Sequence, residues 1–320
     1  MRCPEHNSDM VFQARKGMGL TKIAPFRQIA GVYSALLGIA ASLQNISARA
    51  GQEAVNEQLL AINSSIQELS SVAKRALPPE TPLHDVSIYE VNGFRLLLDR
   101  SSLVDRLVVE QGEWEGEQVR YLMKLSELFR GRSNPVFLDL GSYWGYYSLM
   151  LQSTGIFERV YAFDADAYNF AQLQANIFLN KLDGVIVAQH AAVSDAAGVV
   201  TVQNSRSHDD GNRGATRILG ESEVSSSGSS RTVKAIAVDD VLDIRNSHVV
   251  IKMDVEAHED RALLGMKNII ANNKVIVQVE IYKEQAGIVV PVLESLGLRQ
   301  VCAMYPDFFY SNLSDEELAI

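Results

Sequence analysis

Apolar positions recur along this chain in two rhythms, and the change between them divides it. Ile29, Val32, Leu36, Ile39, Leu43, Ile46 and Ala50 are spaced by alternating steps of three and four, and after a slip around Gly51 the same steps resume at Val55, Leu59, Ile62, Ile66, Leu69, Ala73 and Ala76. Such heptads predict either one long coiled-coil helix with a discontinuity or an antiparallel helical hairpin. The seam serves either self-association or packing against the same chain, and homo-oligomerisation through residues 29–76 is the expectation. Residues 1–26 lack periodicity and read as a poorly ordered lead-in. The prolines of Leu77-Pro78-Pro79-Glu80-Thr81-Pro82 stop the helix, which places an N-terminal helical extension at 1–80 and a second domain at 81–320.

Beyond the prolines the pattern shortens. Val86–Val91 and Phe94–Leu98 flank Asn92-Gly93, a strong hairpin signal, and Gln118–Phe129 has helical spacing. The apolar run from Val136, bounded by Asn134-Pro135, predicts a buried parallel strand. Strands are then expected at Val160–Phe163, Val185–Gln189, Val249–Met253 and Val275–Ile281, with extended pieces at Val199–Gln203 and Val233–Val238. Helices are expected at Tyr168–Leu179, Glu259–Ile270 and Ile288–Leu296, and Leu298–Met304 with Phe308–Tyr310 reads as a closing hairpin. Strands separated by helices imply parallel βαβ units, hence an α/β fold. The Ser/Gly/Asp-rich segment Asn204–Arg231 has no strong period, and a loop that long is a candidate lid.

Chemistry concentrates at the carboxyl ends of those strands, where open α/β sheets bind ligands. The first strand runs into Asp139-Leu140-Gly141-Ser142-Tyr143-Trp144-Gly145, and a helix starts near Tyr146. A carboxylate before two glycines four apart differs from the Gly-x-Gly-x-x-Gly of dinucleotide binders, which argues against a nicotinamide enzyme. It suits a ligand with a positive amino-acid end, and S-adenosylmethionine is such a ligand. Asp164 ends the next strand and is placed to accept from ribose hydroxyls, with Asp166 either sharing that role or capping the following helix. Lys252-Met253-Asp254-Val255-Glu256-Ala257-His258-Glu259 follows a buried strand, so Asp254, Glu256 and His258 are candidates for a general base, and Asp254, Glu256 and Glu259 for holding a divalent ion such as Mg²⁺. Glu280 and Tyr282 end the next strand on the same edge, His190 is at most a wall of the pocket, and Asn212, Arg213 and Thr216 in the long loop are possible acceptor contacts.

Composition narrows the partners. The chain of 320 residues carries a net charge of −10 and no basic block, which argues against a nucleic-acid partner. Its two cysteines, Cys3 and Cys302, lie at opposite ends without a metal-ligand or disulfide pattern, consistent with a cytoplasmic setting. Lys16, Lys22 and Arg27 before the run Ile29–Leu43 loosely imitate a signal peptide, but the basic region is too long, and the run is short for a span of about 20 residues.

Taken in order, Asp139–Leu149, Val160-Tyr-Ala-Phe-Asp-Ala-Asp166, Ala192-Val-Ser-Asp195, Val238-Asp-Asp-Val-Leu242 and Ile251–Glu259 resemble the FkbM family of S-adenosylmethionine-dependent methyltransferases, and Asn92-Gly-Phe-Arg-Leu96 and Asp105-Arg…Trp114-Glu resemble its lead-in. The resemblance covers about residues 86–305. It implies a class I methyltransferase fold: a Rossmann-like, mostly parallel seven-stranded sheet with an antiparallel final strand and helices on both faces. It further implies O-methylation of sugar hydroxyls or natural-product alcohols. Asp139, Gly141 and Gly145, with Ser142 and Tyr143, would hold the methionine end of the cofactor. Asp164 would hold the ribose where the family usually has Glu, beside Ala165, and Ala192, Ser194 and Asp195 would lie near the adenine. Asp254 would reach both cofactor and acceptor, and Lys252, Glu256 and Glu259 would border the acceptor. Two departures stand out: Gly141-Ser142-Tyr143-Trp144 where the family usually shows Gly-Ala-Asn, and Ala257 in place of a glycine. They leave open a second reading, a scaffold protein of this fold with impaired turnover that works through its coiled coil.

Overall fold

A computed structural model describes residues 85–203, 212–214, 216–219 and 230–319. The heptads of 29–76, the proline boundary and most of the 204–231 segment lie outside the described residues.

The chain enters through a hairpin of β1 (Val86–Val91) and β2 (Phe94–Asp99), turned at Asn92 and Gly93, both at positive φ as a two-residue turn requires. Helices α1 (Leu103–Gln111) and α2 (Gly116–Ser126) follow. The core begins with β3 (Pro135–Leu140) and α3 (Tyr146–Gln152), then β4 (Arg159–Asp164), α4 (Ala167–Leu179) and β5 (Ile186–His190). A side sheet of β6 (Ala192–Val193), β7 (Gly198–Gln203) and β8 (Ser230–Ile236) intervenes, followed by the short α5 (Val238–Val241). Next come β9 (His248–Met253), α6 (Glu259–Leu264), α7 (Lys267–Asn272), β10 (Lys274–Glu280) and α8 (Lys283–Ser295). The hairpin β11 (Arg299–Met304) and β12 (Asp307–Ser311) and the terminal α9 (Asp315–Leu318) close the chain.

The central sheet has seven strands in the order β11-β12-β10-β9-β3-β4-β5, and β12 alone runs antiparallel to its neighbours β10 and β11. This is the expected class I arrangement. From β3 the chain builds outward through β4 and β5, then returns to place β9 on the other side of β3, so the order reverses between β3 and β9. A crevice opens there at the carboxyl ends. Alternation along β3 fills both faces: Val136, Leu138 and Leu140 pack with α6, α7 and α8, and Phe137 packs beneath α3 and α4. Each fully buried side chain of this kind contributes roughly 1.5–3 kcal/mol.

Several boundaries differ from the periodic reading. The helix expected over Glu259–Ile270 breaks at Gly265, a position that must be glycine because a Cβ there would stand 1.9 Å from the Ser194 carbonyl oxygen. Asp239 then starts α7 afresh by accepting from the Asn268 and Ile269 N–H groups. The extended piece expected to reach Val238 stops at Ile236, and Val238 opens α5 instead. Helix α1 is not among the expected elements, although Leu103, Val104, Leu107 and Val108 fall at helical spacing. Among the described residues no helix is long and apolar enough to cross a membrane.

Candidate active site at the carboxyl edge of the sheet

A cavity of about 260 Å³ lies at the carboxyl edge, lined by the loops after β3, β4, β9 and β10. Its floor is set by glycine. Gly141, at φ 78°, has no room for a side chain: a Cβ would stand 1.7 Å from the Asp254 carbonyl oxygen. The space beside Gly141 is thus taken by the loop after β9, and the Asp254 N–H donates to the Leu140 carbonyl at 3.0 Å. The two loops that border the switch point are stitched together.

Asp139 is buried and accepts from the Ser148 hydroxyl at 2.6 Å, one turn into α3. Burial pushes its pKa up to about 6, against that hydrogen bond and the pull of Lys252. Asp164 accepts from the Tyr143 N–H at 2.7 Å on one oxygen and from the Asp166 N–H at 2.8 Å on the other, and burial pushes it up to about 8. Each oxygen keeps a lone pair for a further donor. Asp166 caps α4 by accepting from Tyr168 and Asn169, so of its two expected roles the structure displays the cap.

The first departure has a physical account. Tyr143 sits at φ 52°, in the left-handed region that asparagine tolerates and bulky residues avoid. Its hydroxyl donates to Asp105 at 2.7 Å and lies 2.6 Å from the Ser102 hydroxyl, which ties the side chain down and offsets the strain. Trp144 is fully buried, its ring against those of Tyr143 and Tyr146. The second departure, Ala257, follows Glu256 in a pair of left-handed residues at φ 53° and 71°. That conformation turns the chain sharply between β9 and α6.

The acceptor-side residues divide. Lys252 is buried, 3.2 Å from Asp254 Oδ2 and 5.1 Å above the Tyr147 ring. Carboxylate oxygens of Asp254, Glu256 and Glu280 come within 4.8 Å of one another, a spacing that could hold a divalent ion. Glu280 therefore takes the place in this group expected of Glu259. Glu259 instead accepts from the Val255 N–H and from Gln285, behind the loop. Tyr282 lines the cavity and donates to Glu280 at 3.0 Å. Ala165, Ala192, Asn212 and Thr216 line it as well.

Other expected members lie elsewhere. Ser194 and Asp195 are not in the lining; Ser194 donates to Asp195 and lies 2.9 Å from His258 Nε2, and Asp195 pairs with Arg261 at 2.9 Å. His258 is thus engaged outside the cavity, and burial holds its pKa below the usual imidazole value. His190 stacks on Phe170 and is not in the lining either. Arg213 turns away from the cavity into a buried pair with Asp105. Three site residues escape the sequence reading: Glu115, which accepts from the Tyr147 hydroxyl at 2.7 Å; Tyr147 itself; and Asp307, which accepts from Gln278 at 2.7 Å. The one available signal is Asp307 facing Glu280 across β12 and β10, since like charges directly opposed need a cation nearby. Lys252 supplies it.

Burial raises Asp307 and Glu259 to about 7, Glu256 to about 8 and Glu280 to about 9, with mutual repulsion adding to each. A carboxyl whose folded pKa exceeds its unfolded value contributes stability at low pH that is lost as pH rises through the folded pKa. Stability is therefore expected to fall between pH 6 and 9. His258, held below the usual imidazole value, acts oppositely as a single group against several, and the carboxyls with lowered pKa act only at acid pH. Urea midpoints at pH 6.5 and 9 check this, and Glu280→Gln should flatten the decline; a midpoint that rises with pH would contradict it.

Comparison with known proteins identifies a family. A family profile described as the methyltransferase FkbM domain matches residues 139–299, just over half the chain. No curated protein matches. Among solved structures, a methyltransferase FkbM from Methylobacillus flagellatus KT is 18% identical at a TM-score of 0.39, covering 65% of this chain and 52% of its own. An M. jannaschii tRNA m1G37 methyltransferase is 16% identical at 0.35, covering 73% and 55%, and M. jannaschii TYW2 in complex with AdoMet is 11% identical at 0.37, covering 73% and 86%. The chain spans about half the length of the first structures it matches, and likenesses this distant assign no acceptor. On the span and order of its motifs, the chain belongs to the FkbM family of methyltransferases.

Proposed function

We propose that this chain transfers the methyl group of S-adenosylmethionine to a hydroxyl oxygen of a small acceptor, of sugar or natural-product type. The observation that carries the reading is the convergence of Asp139, Asp164 and the Gly141 turn on one cavity that also receives Asp254 and Glu256. When bound, S-adenosylmethionine supplies an electrophilic methyl on a positively charged sulfur. The small residues Ala165 and Ala192 leave room for its length, and the surrounding carboxylates suit its positive charges. Asp164 would accept from the ribose hydroxyls and Asp139 would face the methionine end.

Asp254 and Glu256, which line the cavity, would border the entering acceptor hydroxyl. Glu256, with its pKa raised to about 8, is the base we favour for the hydroxyl proton. Much of the rate enhancement would come from holding the reacting atoms in line in a site that sheds water. A small acceptor rather than a nucleic acid is favoured by the net charge of −10. Self-association through residues 29–76 and a cytoplasmic setting belong to the same proposal and rest on sequence alone.

Calorimetric titration with S-adenosylmethionine and S-adenosylhomocysteine tests the reading. Asp164→Ala should weaken binding about 100-fold, the equivalent of two hydrogen bonds at up to about 1.5 kcal/mol each. Absence of binding by the intact protein would overturn the proposal and favour the scaffold reading. A metal-assisted variant is motivated by the spacing of Asp254, Glu256 and Glu280; turnover unaffected by a chelator would remove it.

A further inference from the structure

Arg213 stands apart from its neighbours. Asn212, Gly214 and Thr216 line the same cavity as Asp164, whereas the Arg213 side chain turns inward and is buried. Its Nη2 donates to Asp105 Oδ2 and to Gln172 Oε1, both at 3.0 Å. The guanidinium lies 4.5 Å from the Tyr168 ring centre and 5.4 Å from that of Tyr143, and the Arg213 carbonyl accepts from Asn169 on α4 at 3.2 Å. The Thr216 hydroxyl donates to the same carbonyl at 3.1 Å.

Asp105 links this anchor to the turn after β3. It is fully buried and accepts from the Asp99 N–H, Gln172 and the Tyr143 hydroxyl as well as from Arg213. Tyr143 is the left-handed residue whose N–H donates to Asp164. A residue of that bulk keeps such a backbone only where its surroundings over-determine it. Here they do so through the hydroxyl on Asp105 and the cation above the ring.

We propose that Arg213 is a positioning residue for the nucleoside end of the cofactor: locked on Asp105, it holds the cavity wall made by Asn212, Gly214 and Thr216 and, through Asp105, the turn at Tyr143 that aims Asp164. The inference rests on the reading of this cavity as a site for S-adenosylmethionine. Arginine suits the task because its planar fork reaches Asp105 and Gln172 through Nη2 and Asn169 through Nη1 while its face meets aromatic rings, which the lysine point charge does not reproduce.

The test is calorimetric titration with S-adenosylhomocysteine of the intact protein, Arg213→Met, Arg213→Lys, Tyr143→Phe and the Arg213→Met/Tyr143→Phe double variant, each accompanied by thermal unfolding without ligand. Kd should rise about tenfold in Arg213→Met and severalfold in Tyr143→Phe, with Arg213→Lys in between. Because both side chains act through Asp105, the double variant should bind no more weakly than Arg213→Met alone. A merely structural role would lower the Tm and leave the Kd of the folded fraction unchanged, which overturns the inference, as does a double variant whose losses multiply. If Arg213→Met does not fold, Tyr143→Phe decides, and unchanged affinity there overturns it. Failure of the intact protein to bind is a different result: it rejects the cofactor reading itself.

Discussion

Gly141→Ala is expected to abolish detectable binding of S-adenosylhomocysteine and to destabilise the protein by roughly 3 kcal/mol or more. The added Cβ would stand 1.7 Å from the Asp254 carbonyl oxygen, a contact with backbone that no side-chain rotation relieves. The loops after β3 and β9 must then separate, and the hydrogen bond from Asp254 N–H to the Leu140 carbonyl goes with them. An L-residue at φ 78° adds about 1–2 kcal/mol of conformational strain. Gly155→Ala separates the two effects, since Gly155 has φ 65° and nothing within 4 Å of where its methyl group would stand. It should lose only the conformational part and keep full affinity. Equal losses in the two variants, read by urea midpoint and calorimetry, would mean that the contact with Asp254 is unimportant.

Lys252→Met should cost about 3 kcal/mol at pH 8 and distinctly less at pH 6. Lys252 is the buried cation among Asp254, Glu115, Asp307 and Glu280, all of which hold its own pKa high against burial. Methionine keeps the length and the contact with Tyr147 but removes the charge, so the carboxylates face one another uncompensated. Their remaining recourse is to bind protons, which is easier at pH 6 than at pH 8. The penalty must therefore grow with pH, and urea unfolding at the two values measures it. A loss independent of pH, or below about 1 kcal/mol, would show that solvent already screens these groups.

Much of the sheet is legible in the sequence because burial imposes a period. The runs at Val136, Val160, Val249 and Val275 each form a strand of the central sheet, and Asn92-Gly93 makes its hairpin. Asp139 and Gly141 reach the cavity for a related reason: strand and turn are contiguous, so the motif folds on itself, whereas Gly145, expected beside them, packs against Leu173 and is not in the lining. Local signals fail where a distant neighbour intervenes. A helix of unbroken apolar period divides at Gly265, where the Ser194 carbonyl passes too close for any side chain. His258 reads as a free base, yet Ser194, 64 positions away, engages it. Arg213 reads as an acceptor contact in a polar loop, yet Asp105, 108 positions away, draws it inward.

By itself the sequence determined the order of strands and helices, the carboxyl edge on which the acidic residues emerge, and the family. These follow from side-chain periodicity and from motifs contiguous along the chain. The tertiary structure alone decided which carboxylates meet around Lys252, that Glu280 rather than Glu259 joins Asp254 and Glu256, and how a tyrosine fits at position 143. Periodicity says which face a side chain takes. Which charge it finds there depends on closing loops tens of residues long, and that choice is made by packing the whole sheet.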